Sequence, residues 1–256
     1  MLPDGRVLTN SGWDEAHREG TIYTRDGEIY AGVPKTRGRT IAADAEFVYA
    51  PIEKDGRVGV GRFHLGERRP RIRPHTRDGL QFTAEAPLVG LEPGQRPYQA
   101  RFWNVWLEKV EYQWRPDKRA VEIRNDPAAA DKYRRPPQQI RGLASNGAEL
   151  FVAEDITHHV HVLDTRTLEV KRSFAFRYPG DIALDGEGHL WIVSRPETSE
   201  GKLPWMQSME QGPYRIVQYT TDSKPTGKTI DDVGIVTAIS CGGADNALYV
   251  ADVQPD

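Results

Sequence analysis

Asp181-Ile-Ala-Leu-Asp-Gly-Glu-Gly-His-Leu-Trp-Ile-Val193 reads as a short apolar strand, a polar turn and a second apolar strand. The same plan occurs upstream in Gly142-Leu-Ala-Ser-Asn-Gly-Ala-Glu-Leu-Phe-Val-Ala-Glu-Asp155. Its ending returns in Leu248-Tyr-Val-Ala-Asp252, preceded by Thr237-Ala-Ile-Ser-Cys241. Earlier it appears as Thr40-Ile-Ala-Ala-Asp-Ala-Glu-Phe-Val-Tyr-Ala50, and in abbreviated form as Leu2-Pro-Asp-Gly-Arg-Val-Leu-Thr9. The aromatic or equivalent position falls at Leu8, Tyr49, Phe151, Trp191 and Tyr249, separated by 41, 102, 40 and 58 residues. The double-length gap holds one more aromatic strand, Tyr98-Gln-Ala-Arg-Phe-Trp-Asn-Val-Trp106. Strand-turn-strand units recurring every 40–50 residues or so predict the blades of a β-propeller.

Second hairpins lie between these pairs. Thr21–Tyr30 turns at Asp26-Gly27, a two-residue hairpin signal. His161–Val170, Ile216–Ile230 and Val110–Ile123 repeat the idea. An inner pair plus an outer hairpin makes one four-stranded antiparallel blade. Inner strands starting near 3, 41, 98, 142, 181 and 238 then predict an all-β, six-bladed propeller occupying 1–256 as a single domain. The sixth blade lacks its outer hairpin before Asp256 and would leave an open sheet edge, which natural proteins avoid. The expectation is therefore a fragment of a longer chain, or a ring closed by the short N-terminal blade. A β-sandwich is the rival architecture.

Composition agrees with a turn-rich fold: 24 Gly and 18 Pro spread along 256 residues, with 38% hydrophobic and 28% charged residues. A net charge of −3 supplies no electrostatic reason to expect nucleic acid or an anionic membrane as a partner. No apolar run approaches a transmembrane helix, and Met1-Leu2-Pro3-Asp4-Gly5 does not read as a secretory signal. The single cysteine, Cys241, leaves internal disulfides and Cys-rich zinc sites out of account. Arg68-Arg-Pro-Arg-Ile-Arg73 reads as a solvated edge strand or loop. There is no Gly-x-Ser-x-Gly elbow, phosphate loop or Cys-His nucleophile pair.

Ile182-Ala-Leu-Asp-Gly-Glu-Gly-His-Leu-Trp-Ile-Val193 and Leu248-Tyr-Val-Ala-Asp252 resemble the NHL-repeat group of six-bladed propellers, to which the senescence-marker/gluconolactonase family is related. The resemblance is fullest over 140–256, looser over 1–60 and nearly absent over 61–139. Leu8–Gly27 looks like the opening of secreted NHL-type propellers of bacteria, which implies an extracellular role. The gluconolactonase relationship implies a divalent cation held by Glu, Asn and Asp side chains, with lactone hydrolysis as the alternative function. The family's Asn precedes a Gly-Leu-Ala run, where this chain has Arg141 before Gly142-Leu143-Ala144. The family's Asp lies in a Pro-Asp-Gly turn, where this chain reads Pro179-Gly180-Asp181. Shifting an acid by one residue along a strand sends it to the other face. Both departures count against the lactonase.

Other candidate residues cluster at strand ends and in loops. Glu154-Asp155, Asp252 and Arg195 follow inner strands, where propeller loops line the channel mouth; Asp181 opens one. Trp13, Asp14, His17 and Arg18 combine an aromatic platform with charges, as sugar- or peptide-binding loops do. For these acids the plainer reading is turn chemistry, and for that loop a hydrogen-bonded staple. Trp103, Trp106 and Trp114 have strand spacing and default to core packing. In His158-His159-Val160-His161, His159 and His161 share one strand face and are the candidate metal ligands. The plainer alternative is an exposed hairpin start with Val160 and Val162 buried.

The expected function is a non-enzymatic propeller that binds a protein or a small polar or carbohydrate ligand through loops around its channel. No cofactor is expected under this reading; a divalent cation belongs to the alternative.

Overall fold

The structure, a computed structural model, describes residues 2, 4–9, 20–33, 40–54, 57–69, 79–90, 140–154, 157–196, 213–242 and 246–253. Among them every regular element is a strand. In chain order these are β1 (Val7–Thr9), β2 (Gly20–Tyr23), β3 (Ile29–Val33), β4 (Ala42–Ala43), β5 (Phe47–Lys54), β6 (Arg57–Arg69), β7 (Gly79–Gly90), β8 (Ile140–Ser145), β9 (Glu149–Glu154), β10 (His159–Asp164), β11 (Val170–Ala175), β12 (Pro179–Leu184), β13 (His189–Ser194), β14 (Tyr214–Thr220), β15 (Pro225–Val233), β16 (Ile235–Gly242) and β17 (Ala247–Val253).

They form the antiparallel blades β4-β5-β6-β7, β8-β9-β10-β11 and β12-β13-β14-β15, with β1-β2-β3 before them and the pair β16-β17 after. A single parallel pairing, Gly32 with Gly79, joins the first two sheets along β3 and β7. This is a β-propeller of four-stranded blades with a short last unit.

Local chemistry explains why the inner pairs turn where they do. Asp44, Asn146 and Asp185 occupy the same place in three successive turns. Each accepts two backbone amides: Glu46 (2.9 Å) and Phe47 (2.8 Å), Ala148 (3.0 Å) and Glu149 (2.7 Å), Glu187 (3.0 Å) and His189 (2.8 Å). Gly147 and Gly188 have φ of +88° and +83°, a region an L side chain resists.

Opposite each turn a small residue faces the repeated aromatic: Ala42 with Tyr49, Ala144 with Phe151, Ala183 with Trp191 and Ser240 with Tyr249. Tyr49 packs with Ile140, Leu143 and Leu150 of the next blade. Phe151 packs with Ile182, Leu190 and Ile192, and Trp191 with Ile239, Leu248 and Val250. Tyr49, Phe151 and Trp191 are thus the wedges that one blade drives into the following one. A fully buried side chain of this size contributes about 1.5–3 kcal/mol.

The order of blades differs in one respect from the repeat spacing. β4 and β5 meet β8, β8 meets β12, and β12 meets β16. The blade ending at β7 is therefore in direct contact with the one beginning at β8, and among the described residues no sheet lies between them. The unit expected at 98–123, with Trp103, Trp106 and Trp114, lies outside the described residues, and with it part of the basis for a count of six. The first inner pair also differs: Leu2 and Arg6 close a turn (2.8 Å), and among the described residues β1 alone follows, paired with β2. The outer hairpin β6-β7 had no counterpart in the sequence reading; its strands carry Arg, Gly and His among their apolar residues, which blurs the alternation.

Candidate functional site

The start of β8, the end of β9, the start of β10, the start of β12 and the end of β13 come together at one end of two neighbouring blades. Register places Ile140 opposite Glu154, Glu154 opposite His159, and Pro179 opposite Ser194. The two blades approach through backbone. A Cβ on Gly142 would stand 2.6 Å from the carbonyl oxygen of Gly180 and 2.7 Å from the amide nitrogen of Ile182. Only glycine permits that contact.

Three inner strands, β8, β12 and β16, carry a β-bulge near their start. The ladder slips between Ile140 and Gly142, between Pro179 and Ile182, and between Val236 and Ala238. A bulge leaves a residue unpaired in the ladder and re-aims its side chain. In β8 that residue is Arg141, which is 9% exposed. Glu154 is fully buried and Arg195, just past β13, is 4% exposed. Three desolvated charges at one rim demand partners, and each engages further groups of the protein.

Glu154 Oε2 accepts the Thr157 amide (3.0 Å) and the Thr157 hydroxyl. It also lies 4.0 Å from His161 Nε2, a buried nitrogen without a hydrogen bond. The Arg195 amide donates to Tyr178 O (2.9 Å) and its Nε to Pro179 O (3.3 Å). Beside them His158 and Tyr178 both adopt left-handed backbone, φ 59° and 50°. Their rings meet edge to face at 4.6 Å, and the Tyr178 amide donates to His158 Nδ1 (3.2 Å). Non-glycine residues in this region cost about 1–3 kcal/mol each and gather at functional sites.

Asp181 sits apart from that rim in role. Its Oδ1 accepts the Ile182 amide (3.0 Å) and its Oδ2 the Ile239 amide of the next blade (3.1 Å). The residue keeps some exposure, but its carboxyl is enclosed between β12 and β16. Burial pushes that carboxyl up to about 6, against the two amides that favour the ionised form. Asp252 occupies the position of Glu154 in the last pair, opposite Val236, and is exposed there. Trp13, Asp14, His17, Arg18 and Asp155 lie outside the described residues.

His159 and His161 do share a face, with Val160 and Val162 fully buried behind them. Their rings stack at 6.0 Å and 19° rather than converging. His159 Nδ1 engages Thr157 O (2.6 Å) and His161 Nδ1 engages Ser173 Oγ (2.8 Å). Among the described residues no three His, Cys, Asp or Glu side chains are placed to hold an ion.

The cation implied by the gluconolactonase resemblance meets the same difficulty. Arg141, a cation, stands at the Asn position. At the Asp position, a Cβ on Gly180 would lie 3.0 Å from Val193 Cβ and Cγ1 and 3.3 Å from Arg195 Cγ. Val193 and the Arg195 stem fill the space an acid would need. These residues do not fit a divalent cation.

Sequence reasoning singled out Glu154 and Arg195. It treated Arg141 only as a departure from a family pattern, and it missed the His158–Tyr178 pair altogether. The signal for Arg141 was a long cation directly before a Gly that begins an inner strand. Nothing local marks the His158–Tyr178 contact, which joins residues 20 positions apart.

No family model matches the chain, and no curated protein matches it in sequence. Solved structures do resemble it. Kuenenia stuttgartiensis hydrazine synthase aligns with a TM-score of 0.50 and 10% identity, covering 90% of this chain and 47% of that one. The nidogen/laminin complex gives 0.48 and 11% identity, covering 98% and 69%. Myxococcus xanthus glutaminyl cyclase gives 0.43 and 6%, covering 98% and 87%. The chain thus spans about half the length of the hydrazine synthase chain it matches. At this identity the likeness to hydrazine synthase speaks for the fold alone, and the fold is that of a β-propeller.

Proposed function

We propose that the chain is a non-enzymatic binding module whose blade-rim site takes a small anionic carbohydrate. One observation carries the reading: three desolvated charges, Arg141, Glu154 and Arg195, stand at the rim of neighbouring blades, Arg141 re-aimed by a bulge. Guanidinium groups recognise carboxylates in bidentate fashion. Two arginines against one glutamate favour a ligand that brings negative charge.

The test is a thermal-shift series and calorimetric titration with glucuronate, and with glucose as its uncharged counterpart. Glucuronate is expected to raise the melting temperature and glucose to leave it unchanged. Arg141→Gln or Arg195→Gln is expected to weaken glucuronate binding at least tenfold, with the circular dichroism spectrum retained. Absence of any glucuronate effect, or variants that bind glucuronate as tightly as the wild type, overturns the reading.

A further inference from the structure

The connection between β11 and β12 carries the chain from one blade to the next, and His158 holds it through both carbonyl and ring. The His158 carbonyl accepts the Phe176 amide (2.8 Å), and its ring Nδ1 accepts the Tyr178 amide (3.2 Å). Tyr178 O in turn accepts the Arg195 amide (2.9 Å). A line of hydrogen bonds thus runs from the entry of β10, across the connection, to the end of β13 in the next blade. Phe176 and Tyr178 are both buried. His158 and Tyr178 hold left-handed backbone, which only the surrounding contacts can maintain.

These bonds differ in one respect. A carbonyl accepts at any pH, whereas Nδ1 accepts only while it carries no proton. The bond from the Tyr178 amide therefore fixes His158 as the neutral tautomer with its hydrogen on Nε2. Protonation puts a hydrogen on Nδ1 and sets two N–H donors against each other at 3.2 Å. His159 and His161 are arranged otherwise: their Nδ1 atoms engage Thr157 O and Ser173 Oγ, and neither partner requires a bare ring nitrogen. The other charged or titratable groups at this rim are Arg141 of β8, Glu154 of β9, Arg177 and Tyr178 of the connection, and Arg195 after β13. Glu154 is engaged by Thr157, and Asp181 of β12 by the Ile182 and Ile239 amides.

We infer that His158 is a proton-operated latch on the connection between the two blades: the neutral imidazole holds Tyr178, and the imidazolium lets it go. Histidine is the side chain whose charge ordinarily changes between about pH 5 and 8. Protonation leaves the Phe176 bond in place, removes the Tyr178 bond to the ring, and loosens the segment that positions Arg195. The latch depends on no ligand at the rim.

NMR of the full 256-residue chain labelled with 15N tests it. At about pH 8 the His158 ring is expected to show a bare Nδ1 and a protonated Nε2, with the Tyr178 amide protected from exchange. Down to about pH 5 that amide, corrected for its intrinsic exchange rate, is expected to lose roughly tenfold or more of its protection, with the same midpoint as the His158 ring. His158→Asn supplies a side-chain oxygen that accepts an amide and does not titrate, in a residue type that tolerates left-handed backbone. Protection of Tyr178 in that variant is expected to stay constant over the same range. A His158 ring with its hydrogen on Nδ1 at the upper end of the range overturns the proposal. So do protection that does not change with pH, different midpoints for ring and amide, or an equal loss in the variant. Should the variant not fold, the tautomer and the midpoints measured on the wild type decide.

Discussion

Asp181 shows how a single side chain can close a gap between blades and carry a cost in doing so. The inner edges of β12 and β16 present amides with no strand to pair them, and the carboxylate takes one from each. Enclosure raises its pKa from 3.8 to about 6, so the folded state binds this proton more tightly than the unfolded one. An acid shifted in that direction destabilises the fold once ionised. The penalty is absent below the ordinary value near 4, grows as pH rises to about 6, and is constant above it. Comparing urea unfolding of the wild type and Asp181→Asn from pH 7 to pH 4 isolates this contribution. The wild type is expected to gain on the order of 2 kcal/mol relative to the variant over that range. A difference that does not change with pH would show that the carboxyl is open to water.

Blades are tied to one another at their outer strands as well as their inner ones. Arg62 on β6 donates to Thr165 O (2.7 Å) and Arg166 O (2.6 Å) in the turn after β10. Arg172 on β11 repeats the device, reaching Thr221 O in the turn after β14 and Ser223 Oγ at 3.3 Å. Glu149 on β9 orients Arg172 through a bidentate pair of 2.7 and 2.8 Å, with Lys171 at 2.6 Å. The Arg172 hydrogen bonds outweigh burial and hold the Glu149 carboxyl down at about 2, below its ordinary 4.5. This stabilisation is complete above pH 4.5 and is lost as pH falls through about 2. Glu149→Gln is expected to cost about 1–2 kcal/mol at pH 7, allowing for the partial exposure of Arg172. The gap between variant and wild type is expected to close as pH approaches 2, read by denaturant midpoints; a gap that persists there rejects the ion-pair origin.

At the scale of the molecule, stability falls off toward the last sheet. β8-β9 and β12-β13 have a blade packed on each face and a strand on their outer side. Among the described residues β16-β17 has two strands and one packed face. Two-stranded sheets are marginal in water. Amides of β16-β17 are therefore expected to exchange with deuterium at least tenfold faster than those of β8-β9 at a concentration where the chain is monomeric, followed by mass spectrometry. Equal protection would mean that the hairpin is held as firmly as a complete blade.

Much of this could be read from the chain alone, because a blade is a local object. Strand, turn and strand fit within about 13 residues, and turn formers such as Asn146 and Asp185 act on amides two to four positions away. Alternation of apolar and polar residues then names the buried face, as at Val160 and Val162. The sheet class, the inner pairs beginning near 41, 142, 181 and 238, and their aromatic positions were settled at that level. What lay beyond it depends on which blade stands beside which. The neighbourhood of β4 and β8, the closeness of Gly142 to Gly180, the burial of Arg141 and the bond from Asp181 to Ile239 all join residues from separate sheets. Repeat spacing counts units without stating their order around the axis, and the candidate site is made where two units meet. The amino-acid sequence by itself therefore determined the blade, while only the tertiary structure decided the rim, since no local pattern records a contact between separate sheets.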